Sequence, residues 1–112
     1  MLLTTTDSLQ GVKIDRFLGL VIGHAVISDT YLKNFHSGIR DMGSGHHHDY
    51  AQELEKARET ATLQMVEKAK QLGANAVIGI DLDFETSGDT THLVIVSIAG
   101  TAVVTEQELE SV

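Results

Sequence analysis

Between Val12 and Ile27 the chain carries apolar residues in both alternating phases of an extended strand. Ile14, Leu18, Leu20, Ile22 and Val26 fall in one phase; Phe17, Val21 and Ile27 fall in the other. A strand with water on one side shows a single apolar phase, so this segment is expected to be covered on both faces for part of its length. Gly19 and Gly23 interrupt it, and glycine inside a strand marks a bulge or a close backbone approach. Helices of the same chain can cover one sheet face, but the second must meet something else. A return strand expected at Leu93–Val104 shares the feature, with Leu93 and Ile95 in one phase and Val94, Val96 and Ile98 in the other. A few scattered exposed valines are tolerated on any surface. Two strands sharing a second apolar phase point instead to an association surface, because contiguous apolar patches of more than roughly a few hundred Å² mark such sites.

Around these strands the rest of the chain alternates in type. Leu2–Thr6 reads as a short strand, followed by a turn at Asp7–Gly11. Asp29 is a suitable N-cap for a first helix carrying Leu32, Phe35, Ile39 and Met42 at helical spacing, stopped by Gly43-Ser44-Gly45. A loop containing His46, His47 and His48 then leads to Asp49 and Gln52, spaced as a capping box. The spacing predicts a long amphipathic helix from about Tyr50 to Leu72. Its apolar stripe is Leu54, Ala57, Ala61, Met65, Ala69 and Leu72, and the pairs Glu53/Lys56, Glu55/Arg58 and Glu67/Lys70 decorate the remainder. Gly73 is the expected left-handed residue past its end. Ile78, Ile80, Leu82 and Phe84 then alternate with Gly79, Asp81, Asp83 and Glu85, and Ser87-Gly88-Asp89 supplies a hairpin turn into the return strand. The order β-β-α-α-β-β predicts an α+β fold, with two helices on one face of an antiparallel sheet.

A length of 112 residues is that of one domain. The boundary is expected at residue 104, with an acidic tail over 105–112. The chain has no cysteine, which removes disulfides, thiolate nucleophiles and cysteine-based zinc sites. Its net charge of −8 works against a phosphate backbone, since counterion release needs clustered Lys and Arg. No nucleic-acid partner is expected. Leu2-Leu3 passes at once into Thr4-Thr5-Thr6-Asp7, unlike a signal peptide, and no apolar run approaches the roughly 20 residues of a membrane span. A cytoplasmic protein without a membrane partner is the expectation.

The candidate sites are two. His46, His47 and His48 offer neutral imidazole, a good ligand for zinc, nickel or copper. Adjacent side chains point in different directions, however, and a solvated loop accounts for the run without an ion. Gathering one imidazole from each subunit around an axis would remove that objection. Asp81, Asp83 and Glu85 form a carboxylate row able to hold a hard cation such as calcium. The polar face of a half-buried strand explains the same row, and no glycine-rich ligand loop accompanies it. His24 and His36 fit packed, hydrogen-bonded histidines. A Ser28/Asp29/His24 triad can be assembled on paper, but there is no nucleophile elbow, Walker motif or GxGxxG.

Several segments together resemble the YbjQ-like family. They are Gly19–Gly23, Gly38-Ile39-Arg40-Asp41, Tyr50 with Glu53-Leu54 and Lys56-Ala57-Arg58-Glu59, Leu72–Asp81 and Val96–Val103. They span nearly the whole chain in the family's order. The resemblance implies a dodecin-like α+β subunit in a homopentamer, from a family labelled heavy-metal-binding. In relatives the segment before the long helix looks like Gly-Gly-Arg-Ser-x-x-Tyr, where this chain has Ser44-Gly45-His46-His47-His48-Asp49-Tyr50. A metal role for His46–His48 would therefore belong to this chain and not to the family pattern. The expected function is a non-enzymatic homopentameric binding protein for a divalent heavy-metal ion. One alternative is a small-molecule carrier with its ligand between subunits, using Tyr31, Phe35 and Tyr50 as stacking groups. Another is an enzyme with a site built at the subunit interface.

Overall fold

The computed structural model describes residues 1–27, 46–87 and 93–106. Five elements are present among them: β1 (Leu2–Leu3), β2 (Ile14–Ile27), α1 (His46–Gln71), β3 (Ala76–Ser87) and β4 (Leu93–Thr105). The strands form one sheet in the order β1-β3-β4-β2. β2 and β3 flank β4 antiparallel, whereas β1 runs parallel to β3, with Leu2 beside Ala76 and Leu3 beside Val77.

Two expectations are corrected by this arrangement. The described residues form one helix on a mixed four-stranded sheet, in the order β-β-α-β-β, and not two helices on an antiparallel sheet. The first strand crosses to the far side of the sheet instead of pairing with its successor. There Thr4 N–H donates to the Val77 carbonyl at 3.0 Å, Ile80 N–H to the Thr4 carbonyl at 3.1 Å and Gly79 N–H to the Thr6 carbonyl at 2.7 Å. The helix expected from Asp29 to Met42 lies outside the described residues. The second correction concerns where α1 begins: it starts at His46, not near Tyr50. Asp49 and Gln52 sit inside the helix instead of capping it.

The stripe that drives α1 against the sheet is the small-residue one. Ala57, Ala61, Met65 and Ala69 are buried, Leu54 packs at the margin, and Leu72 stays exposed. The helix ends as expected. Gly73 adopts φ 87, its N–H donates to the Lys70 carbonyl at 2.9 Å, and Ala74 N–H donates to the Ala69 carbonyl at 3.0 Å. This pair of bonds is the Schellman motif, and it satisfies carbonyls the helix end would otherwise leave open.

α1 lies along β2 and β4. Its stripe meets Val21, Ile27, Val77, Val94, Val96, Ile98 and Ala102 in the main core. Both strand glycines do what a strand glycine is expected to do. Gly19, at φ 114, sits where the β2–β4 register shifts. At Gly23 an added Cβ would collide with the carbonyl of Ala61, so the helix backbone rests directly on the strand.

A smaller cluster, Ala76, Ile78 and Val103, packs with Leu2, Leu9 and Ile14 apart from the main core. Its existence follows from a bulge at Gly79, φ 60, where the β3–β4 register shifts between Ile78 and Asp81. The shift separates Ile78 from Leu82 and Phe84, which simple alternation had put together. β4 runs through Thr105, which is buried. Asn75 holds it there: its Nδ2 donates to Thr105 Oγ1, and its Oδ1 accepts from Thr105 N–H, both at 2.9 Å. No helix among the described residues is long and apolar enough to cross a membrane.

Candidate functional site

His46, His47 and His48 form the opening turn of α1 instead of a loop before it. The first N–H groups of a helix lack intrahelical acceptors and carry partial positive charge. That partial charge works against a cation held at this end.

Asp81, Asp83 and Glu85 lie on one face of β3, across from Ala99, Ser97 and Ile95 of β4, and all three are exposed. None has an ion-pair partner among the described residues. His24 shares their level of the sheet: it pairs across with Ser97, which on its other side faces Asp83. Its Nδ1 lies 3.3 Å from Ser97 Oγ. Among the described residues no three His, Asp or Glu side chains come together as a metal-holding group. The carboxylate row is thus an exposed polar strip, and β3 by itself does not fold it into a cage. Ser28, Asp29, Tyr31, Phe35, His36 and Arg40-Asp41 lie outside the described residues.

The structure adds a feature that the pattern of residue types had not marked. α1 closes the outer edge of β2 with side chains. Lys68 Nζ donates to the Ile22 carbonyl at 2.7 Å, and Gln64 Oε1 accepts from His24 N–H at 3.0 Å. Edge strands expose such groups as a template for pairing, so these two bonds occupy part of that template. Beside them a cleft of about 470 Å³ opens between β2 and α1, lined by His24–Ile27 with Glu53, Lys56, Ala57, Thr60 and Gln64. Glu53 and Lys56 pair at 3.2 Å on its wall. Glu55 and Arg58 also pair, through Nε at 3.1 Å and through Nη2. The hydrogen bond from Arg58 holds the Glu55 carboxyl below its usual range and raises the guanidinium in turn. Both pairs were legible from i, i+3 spacing.

One helix laid on a mixed four-stranded sheet defines a small α+β protein. The sequence profile of the YbjQ family, described as "Putative heavy-metal-binding", matches residues 1–106. The chain belongs to that family. Its fold is also similar to the crystal structure of a protein of unknown function from Pediococcus pentosaceus ATCC 25745, assigned to the DUF74 family. The TM-score is 0.64 at 17% identity, covering 95% of this chain and 98% of that one. At that identity the likeness speaks to the fold alone.

Proposed function

We propose that this chain is a non-enzymatic homopentameric binding protein for a divalent heavy-metal ion, with His46, His47 and His48 as its donors. The reading of these donors is carried by the run of three histidines opening α1, while the family description supports metal binding in general and not these residues. Imidazole suits zinc, nickel and copper. Adjacent side chains point in different directions, and one imidazole from each of several copies gathered around an axis would supply a complete coordination shell. Assembly is supported by the apolar residues left in water on β2, where Leu20 is 68% and Val26 58% exposed.

The test is calorimetric titration with zinc or nickel, on protein made without a histidine tag or a metal column. The comparison is a variant carrying His46→Arg, His47→Ser and His48→Ala, in the manner of the relatives. The expected result is loss of binding with the oligomeric mass unchanged. Equal affinity in the variant overturns the assignment.

A second reading, a small-molecule carrier, is favoured by the cleft between β2 and α1. Its volume of about 470 Å³ lies within the roughly 300–1,000 Å³ of ligand pockets. An absorbance spectrum together with elemental analysis of the same preparation separates the two: bound colour supports a carrier, and stoichiometric metal supports the histidine site.

A further inference from the structure

α1 covers one face of the sheet and leaves the other open. Val96 and Ile98 of β4 point into the α1 core, and at Gly23 of β2 the backbone of Ala61 rests on the strand. By alternation Ile95, Ser97 and Ala99 point the opposite way, together with their register partners. Those partners are Val26, His24 and Ile22 on β2, and Glu85, Asp83 and Asp81 on β3. At one end of this open face Leu2, Leu9 and Ile14 pack over Ala76, Ile78 and Val103. No described strand or helix covers the remainder.

The open face is graded across the strands. Antiparallel sheets that meet water on one side carry polar residues there. Here Ile22, Ile95 and Ala99 stand half-buried and Val26 exposed, so the β2 and β4 part is largely apolar. His24 is the polar exception on β2, with its Nδ1 3.3 Å from Ser97 Oγ. Along β3 the same face carries Asp81, Asp83 and Glu85, all exposed and without an ion-pair partner among the described residues. At the opposite margin the Lys68 ammonium caps the Ile22 carbonyl. The face thus runs from a cation, across an apolar floor, to a rail of carboxylates. That rail repels nucleic acid and anionic lipid. A cationic partner with an apolar side is attracted and oriented by it.

The dimensions select the form of that partner. β2 and β3 stand about 9.6 Å apart, two strand spacings, which matches the roughly 10–12 Å diameter of a helix with its side chains. Successive carboxylates of the rail recur about every 6.8 Å, and helix residues four apart recur about every 6 Å. We infer that the open face docks an amphipathic helix of a partner protein. Its apolar side rests on Ile22, Ile95 and Ala99, and its Lys or Arg residues, one per turn, run along Asp81, Asp83 and Glu85. The contact uses the middle of one sheet face and is independent of His46–His48 and of the assembly proposed above.

The probe that tests it is a fluorescein-labelled synthetic helix of about 14 residues, ~20 Å long, with Leu on one side and Lys at every fourth position along the adjoining flank. A second peptide carries Glu for Lys, and a third has the composition of the first in an order without a stripe. Anisotropy with the full chain is expected to show binding of the first peptide alone. Asp81→Asn together with Asp83→Asn is expected to weaken it roughly tenfold. Glu59→Gln together with Glu67→Gln removes the same charge from exposed positions of α1 and is expected to leave the affinity unchanged. Ile95→Thr keeps a β-branched residue in the strand and is expected to weaken binding, with circular dichroism and the mass by light scattering unchanged. Absence of binding to the unaltered protein, equal binding of the third peptide or an equal loss in the α1 variant overturns the inference. A lower mass in Ile95→Thr overturns it too, since a second copy of the chain then occupies the face.

Discussion

At Gly23 one hydrogen atom in place of a methyl group sets the distance between helix and strand. A Cβ there would press on the backbone of Ala61, which cannot rotate away as a side-chain tip can. Gly23→Ala is therefore expected to cost about 3 kcal/mol, the upper part of the overpacking range. Ala61→Leu, from the other side of the same contact, is expected to cost about 1–3 kcal/mol. Urea unfolding of both single variants and the double variant tests the pairing: the two losses should not add, since either change already lifts the helix. Glu55 offers a milder test. Its carboxyl is held below the usual range, chiefly by the hydrogen bond from Arg58. A group with a depressed folded value stabilises above its unfolded pKa, and that contribution disappears as pH falls through the folded value. Carboxyl NMR titration should find Glu55 low in the native protein and back in the ordinary range in Arg58→Gln. No change between the two would show that the pair does not persist in solution.

At the scale of elements, α1 and its stop were the most legible parts of the sequence. A stripe repeating every three to four residues and a glycine past the end admit few other readings. Its start was misplaced by four residues, because Asp49 and Gln52 have the spacing of a capping box but lie within the helix. The β3 pattern misled more deeply. Alternation across Ile78–Phe84 looked unbroken, but the left-handed turn at Gly79 exchanges faces in the middle of it, and only register against β4 reveals the exchange. The end of β4 was likewise hidden. Thr105 read as the first residue of an acidic tail, whereas Asn75, from the far end of α1's turn, binds both its N–H and its hydroxyl. Asn75→Ala leaves a buried N–H without that acceptor and is expected to cost about 1–3 kcal/mol. Hydrogen exchange at Thr105 should rise with it; an unchanged rate would mean the strand end holds without the amide.

For the whole molecule, the proposed metal site makes a prediction that no local feature does. Bound imidazole must be neutral, so affinity for zinc or nickel should fall as pH drops below about 6.5. Affinity that stays flat from pH 7.5 to 5.5 would point to carboxylates, such as the exposed row on β3, and away from His46–His48.

The sequence by itself determined the types of the described elements, the buried positions Ala57, Ala61, Met65 and Ala69 of α1, both roles of the β2 glycines and the family. All of these depend on periodicity or on one residue's allowed backbone, properties carried within a few neighbouring positions. Tertiary structure alone decided that β1 lies parallel to β3, that Ile78 and Phe84 part company, that Lys68 and Gln64 bind groups on an edge of β2 and that Leu20, Leu82 and Phe84 stay exposed. Each of these depends on how segments tens of residues apart meet. Many registers and crossings satisfy the same local pattern, and close packing with complete hydrogen bonding selects among them only once the whole chain is in place.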